Sequence, residues 1–192
     1  MLDVQNREDE RGIAIQRVGV KEVRLPFLIK KQAGGYQQVL ARIAFTVSLP
    51  MEFKGTHMSR FFEILLPWSE KPLAEEEMDA MLTEALDRLH AEAAEVSLAF
   101  TYFLEKRAPV SGRASLLDVD ASFTGRKRRG EPMQFELGLA MPFTSLCPCS
   151  KEISAYGAHN QRSTARVRLR YHEGVPCIYI EELAKLLEQQ GS

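Results

Sequence analysis

Between Val39 and Leu49 every second residue is apolar: Val39, Ala41, Ile43, Phe45, Val47 and Leu49 alternate with Gln38, Arg42, Thr46 and Ser48. A period of two sends successive side chains to opposite faces, so this stretch is a β-strand with one buried and one open face, not an amphipathic helix. Such a strand needs sheet neighbours and a second layer over its apolar side. The alternation returns in Val96, Leu98, Phe100, Tyr102 and Leu104. Between the two lie helical patterns. One covers about Met58 to Leu66 and is expected to stop at Pro67, which cannot donate a backbone hydrogen bond. The other covers about Leu73 to Ala94, where Met78, Met81, Leu82, Ala85, Leu86 and Leu89 recur at three- and four-residue spacing. Glu75, Glu76 and Glu77 suit the positive end of its dipole. Val18 to Ile29 is a preceding strand that closes on a Gly34-Gly35 turn, and Leu117 to Gly125 is a following strand that enters a basic turn, Arg126 to Gly130.

The order is therefore strand, strand, helix, helix, strand, strand. A second round starts with a strand over Gln134 to Phe143, a loop holding two cysteines, a strand over Thr164 to Tyr171 and a helix over Tyr179 to Gln190. The expected organisation is a polar N-terminal segment (1–17), a first unit (18–130) and the start of a second (131–192) that lacks its last helix and closing strands. A sheet left open in that way is expected to need a partner subunit or further residues along its edge.

Charge excludes some classes of partner. With 25 Lys plus Arg against 26 Asp plus Glu, no global field draws nucleic acid or an anionic membrane, so an anion site must be local. Residues 1–12 are too polar for a secretory signal, and no apolar run approaches the ~20 residues of a membrane helix. A cytoplasmic protein is expected. Three cysteines, an odd number with Cys147 and Cys149 one residue apart, suit thiol or metal chemistry in a reducing compartment better than a disulfide framework.

Chemistry concentrates in Ser145 to Ser163, SLCPCSKEISAYGAHNQRS. Cys147 and Cys149 offer thiolates and His159 an imidazole, a donor set that suits zinc, and iron or manganese if a carboxylate joins. Cys-x-Cys is tighter than the usual structural zinc spacing. Three ligands leave a position open, as a catalytic metal requires, although one ligand can come from elsewhere in the fold. Cys177 has no such neighbours and fits an inert core position. A second segment, Lys54 to Phe61, places Lys54, His57 and Arg60 at a helix start, where backbone N–H groups attract phosphate. The same three residues also suit a solvated helix end. The run Arg126, Lys127, Arg128, Arg129 fits an exposed hairpin turn and lacks the interleaved aromatics of a single-strand nucleic-acid surface.

At these residues the sequence resembles the type IB GTP cyclohydrolase family. KGTHMSRF (Lys54 to Phe61), APVSG (Ala108 to Gly112), SLLD (Ser115 to Asp118) and the long cysteine segment match that family's motifs in content and order. The resemblance implies an α+β tunnelling fold, in which tandem ββααββ units with antiparallel sheets assemble into an oligomeric barrel, usually a homotetramer with interfacial active sites. It also implies conversion of GTP to 7,8-dihydroneopterin triphosphate and formate, through attack of a metal-activated water on guanine C8. On the matching positions Cys147 and His159 are the metal ligands and catalytic centre, with zinc, manganese or iron as the metal. Cys149 is an alternative ligand or neighbour, and His57, Lys151 and Arg162 are contacts to the triphosphate or the reacting ring. Two other readings remain at this point: the related nitrile reductases with a nucleophilic cysteine, and a non-catalytic purine- or pterin-binding module with a structural metal.

Overall fold

The computed structural model describes residues 14–51, 55–107, 111–155, 157, 159–171 and 177–190, with Pro148 and Lys151 described by backbone alone. Lys54, His172 and the APV of the APVSG motif lie outside the described residues.

The elements in chain order are β1 (Ile15–Lys30), β2 (Tyr36–Leu49), α1 (Met58–Ser69), β3 (Pro72–Leu73), α2 (Glu75–Arg88), β4 (Ala93–Arg107), β5 (Ala114–Arg128), β6 (Gln134–Leu146), α3 (Pro148–Ile153), β7 (Asn160–Arg170) and α4 (Ile180–Gln190). One seven-stranded sheet runs β3-β1-β2-β4-β5-β6-β7, and every neighbouring pair is antiparallel except the two-residue β3, which lies parallel to β1. The sheet and four helices make a mixed α+β fold. Its β1-β2-α1-α2-β4-β5 order is the strand and helix sequence read from the periodicities.

The alternation places the core. Val39, Ala41, Ile43, Phe45, Val47 and Leu49 are all buried, and so are Val96, Leu98, Phe100, Tyr102 and Leu104. This face meets Phe61, Ile64 and Leu65 of α1, Met78, Met81 and Leu82 of α2, and Ile180 and Leu183 of α4 in one cluster. Phe45 and Phe61 meet edge to face at 5.1 Å. At about 1.5–3 kcal/mol for each fully buried large side chain, this cluster outweighs the exposed ion pairs, each contributing about 0–1 kcal/mol. On the other face Leu40 is 66% exposed and Arg42 is exposed, and no helix among the described residues covers them. Gly19 sits in β1 between two register shifts, where a Cβ would lie 2.0 Å from the Phe45 carbonyl oxygen, so only glycine allows β1 this close to β2.

Four local expectations are corrected. The first helix does not stop before Pro67 but runs through it to Ser69. Proline leaves the carbonyl four residues back, that of Glu63, without its helical donor, and Arg88 Nη1 from α2 donates to that oxygen at 3.5 Å. The second helix spans Glu75–Arg88 rather than Leu73 to Ala94. His90 takes φ 50°, Ala91 N–H donates to Leu86 O at 3.0 Å and His90 N–H to Asp87 O at 3.3 Å. These two bonds close the helix end, normally a glycine's task, and release Ala93 and Ala94 into β4.

The basic run is not a free turn. Arg126, Lys127 and Arg128 end β5, where Lys127 pairs with Asp79 at 2.6 Å, Arg126 with Glu95 at 3.3 Å, and Arg129 with Asp87 at 2.8 Å. Finally, the cysteine segment expected as a loop contains the short helix α3.

Candidate active site at the end of the β6–β7 hairpin

Strands β6 and β7 pair from Glu136↔Arg170 to Leu146↔Asn160. One step beyond, Cys147 N–H donates to His159 O at 3.1 Å. Eleven residues of intervening chain thus separate two positions, the predicted thiolate and imidazole residues, whose backbones sit opposite one another. Pro148 at the first position of α3 starts the helix that folds them, because its missing N–H is no loss there.

Ser150, in the first turn of α3, joins both strands. Its Oγ donates to Cys147 O at 3.1 Å and accepts from His159 N–H at 3.1 Å. Cys147 occupies the N-cap position, and its Sγ makes no full capping hydrogen bond. The Ser150 N–H has the largest influence on the thiol, and with the Ser150 hydroxyl and Cys149 it holds the group below its ordinary thiol value against the opposing effect of desolvation. A thiol at a helix start that favours its anion is suited to bind a metal.

Cys149 is exposed on α3, and the backbone of Lys151 lies in the same helix. Among the described residues, no three His, Cys, Asp or Glu side chains gather into a group able to hold a metal ion. The donor types brought to the hairpin end, a thiol and an imidazole, are ones that divalent metals such as zinc accept.

Arg162 lies opposite Thr144 and is exposed. Its neighbour Ser163 faces the Phe143 side, so Arg162 projects on the uncovered face, as do Arg166 and Arg168 opposite Ala140 and Gly138.

His57 is elsewhere. It precedes α1 as the N-cap residue, four residues before Phe61, which stacks on Phe45. Phe45 is level with Val96, Gly125 and Phe135 across the sheet. Cys147 lies at the far end of the 13-residue β6 that begins beside Phe135. At about 3.3 Å per residue this is roughly 40 Å along the strand, before the lateral separation is added. A single chain therefore unites Cys147, His159 and Ser150, carries Arg162 three residues along β7 from His159 on the other face of the sheet, and leaves His57 and Arg60 toward the opposite end.

Cys177 is set apart as the sequence suggested. Burial pushes its thiol well above the ordinary range, and a hydrogen bond to Glu75 adds to the effect. In metal-free protein near neutral pH, iodoacetamide is expected to label Cys147 first and Cys177 last, because only a thiolate attacks and the Cys177 thiol stays protonated. Peptide mass mapping over time checks this. Cys177 modified as fast as Cys149 would contradict it. Ser150 was not among the residues singled out from sequence, although Pro148, a helix-start signal, already placed it in a first turn.

Comparison with known proteins gives the family. The family described as type I GTP cyclohydrolase folE2 matches residues 1–192. The chain belongs to the type I GTP cyclohydrolase FolE2 family. It is 47% identical over 192 residues to the GTP cyclohydrolase FolE2 of Geobacter metallireducens, covering all of this chain and 71% of that relative. It is 46% identical over 190 residues to the GTP cyclohydrolase FolE2 of Azoarcus sp. strain BH72, covering 99% of this chain and 69% of that relative. A hollow of about 490 Å³, lined by Arg17, Glu95, Arg126 and Gln134, contains neither Cys147 nor His159.

Proposed function

We propose that this chain is a type IB GTP cyclohydrolase that hydrolyses GTP to 7,8-dihydroneopterin triphosphate and formate at the end of the β6–β7 hairpin. The pairing of Cys147 with His159 through a 3.1 Å backbone hydrogen bond, in a chain close to GTP cyclohydrolases over its whole length, carries the reading. Cys147 as thiolate and His159 through its imidazole hold zinc, manganese or iron, with Cys149 as an alternative ligand. When bound, the metal supplies Lewis-acid activation of water at guanine C8.

Arg162, exposed on the uncovered face, presents a planar fork to phosphate oxygens, and Lys151 contributes a point charge. His57 serves the reacting ring or the phosphates of a neighbouring subunit's site, because within one chain it is roughly 40 Å from Cys147 by strand rise. That separation supports a homo-oligomer, with tandem units over 18–130 and 131–192 joined into a tunnelling-fold barrel, a tetramer in the cytoplasm. The sheet edges support it as well. Among the described residues β7 has a partner on one side only, and β3 covers β1 only at Leu28 and Ile29. Long uncovered edges are pairing surfaces for another chain.

Incubation of metal-loaded protein with GTP is expected to give a pterin chromophore and formate in equal amounts; guanine release without formate would overturn the reading. Arg162→Ala or Lys151→Ala is expected to weaken GTP binding about 10- to 100-fold, corresponding to about 1.5–3 kcal/mol for one charge-assisted contact, with metal content unchanged. Neutralising two of Arg126, Lys127 and Arg129 is expected to leave GTP affinity within about twofold, since these side chains are engaged by Glu95, Asp79 and Asp87. Calorimetric titration of GTP into the variants separates the two outcomes.

A further inference from the structure

Ser150 is the residue that holds the Cys147 and His159 sides of the hairpin together. Its hydroxyl makes two hydrogen bonds in opposite senses, donating to the Cys147 carbonyl at 3.1 Å and accepting from the His159 amide at 3.1 Å. The Cys147 amide and the His159 carbonyl bond directly at 3.1 Å. Cys147 and His159 are thus tied twice, once directly and once through the Ser150 oxygen. A closed cycle of hydrogen bonds of this kind determines how far apart the two Cα atoms stand and which way their side chains leave the backbone. The regular pairs of the sheet end at Leu146↔Asn160, and the register carries only one further bond past them, from Cys147 N–H to His159 O. Beyond that pair Gly157 takes φ 86°, and the single in-register bond from Cys147 N–H leaves the amide side of His159 to be fixed by Ser150.

We propose that Ser150 is a positioning residue that sets the separation of Cys147 and His159 for metal binding, through its backbone bridge and without itself contacting metal or substrate. The inference rests on the reading of Cys147 and His159 as metal ligands. Only a residue with a hydroxyl can fill the role, because the same oxygen must both donate and accept within about 3 Å of two backbone atoms. Alanine removes the oxygen that bridges the Cys147 carbonyl and the His159 amide, leaving the direct Cys147 N–H to His159 O bond as the remaining tie, and frees His159 to move relative to Cys147. Threonine retains the hydroxyl. Groups that orient ligands typically change metal affinity by about 10- to 100-fold when removed.

The test uses the full chain and cobalt(II) alone as the probe, since a cobalt–thiolate bond gives a near-ultraviolet charge-transfer band. Wild type, Ser150→Ala and Ser150→Thr are titrated with cobalt against a competing chelator, and their thermal unfolding is followed without metal. The expected result is a thiolate band in wild type, cobalt affinity about 10- to 100-fold lower with a weakened or shifted band in Ser150→Ala, and recovery in Ser150→Thr. Metal-free unfolding should be nearly the same in all three. Equal affinity and an unchanged band in Ser150→Ala would overturn the positioning role while leaving the metal reading intact. Absence of the thiolate band in wild type would overturn both. Loss of affinity in Ser150→Ala that follows a matching loss of metal-free stability, with no recovery in Ser150→Thr, would reduce Ser150 to a structural residue and also overturn the proposal.

Discussion

Replacing Cys147 or His159 by alanine is expected to remove bound metal and GTP turnover together, whereas Cys177→Ala keeps both. The first two residues face each other at the hairpin end through a direct backbone bond. Cys177 lies in the helix layer, its thiol engaged with Glu75 and its ionisation suppressed by burial. Loss of a direct ligand from a shell with few protein donors should cost more than the roughly 10- to 100-fold that loss of an orienting partner costs, so affinity in either variant should fall by more than about 100-fold. Metal analysis after gel filtration, paired with formate assays, measures both quantities on the same sample. Equal metal retention in the three variants would remove Cys147 and His159 from the site.

The second large effect concerns His57. Because one chain places it at the opposite end of the sheet from Cys147, a site using both must draw them from different subunits. His57→Ala and Cys147→Ala are each expected to be nearly inactive alone, the former by the roughly 100- to 10,000-fold typical of a lost proton-transfer group if it serves the reacting ring. Co-expressed with different tags and purified for both, the two variants should recover activity. With equal amounts assorting at random, roughly a quarter of interfacial sites join two intact halves. Mixed oligomers as inactive as either parent would place His57 outside the site, or the whole site within one chain.

The sheet was legible because period-two alternation with one buried face has few competing explanations. Val39 to Leu49 and Val96 to Leu104 kept both their strand state and their buried side. Helix ends were less so. Pro67 signals a stop locally, yet the Arg88 guanidinium, 25 residues along the chain from Glu63, occupies the carbonyl that proline leaves open, an effect no local pattern carries. His90 in a left-handed conformation shortened α2 where no glycine marks its end. The ion pairs of Arg126, Lys127 and Arg129 join α2 and β4 to the end of β5, contacts between segments far apart in the chain.

The candidate site divides in the same way. Residue types and motif order pointed to Cys147, His159 and Arg162, because chemistry restricts which side chains can ligate a metal or grip a phosphate. Their spatial relations were not in the motif. The hydrogen-bonded step past Leu146↔Asn160 that brings Cys147 to His159 follows from strand register, and the distance of His57 follows from sheet order, neither of which a linear pattern of residue types contains.

The most direct measurement of the central claim is the fate of guanine C8. GTP labelled with carbon-13 at C8 is incubated with metal-loaded protein, with protein stripped by chelator, and with stripped protein resupplied with zinc, manganese or iron, and the label is followed by NMR. The account predicts labelled formate from the loaded protein, in step with loss of GTP, none from the stripped protein, and recovery on resupply. Label that stays in an intact purine, or formate released at an equal rate without metal, would contradict it.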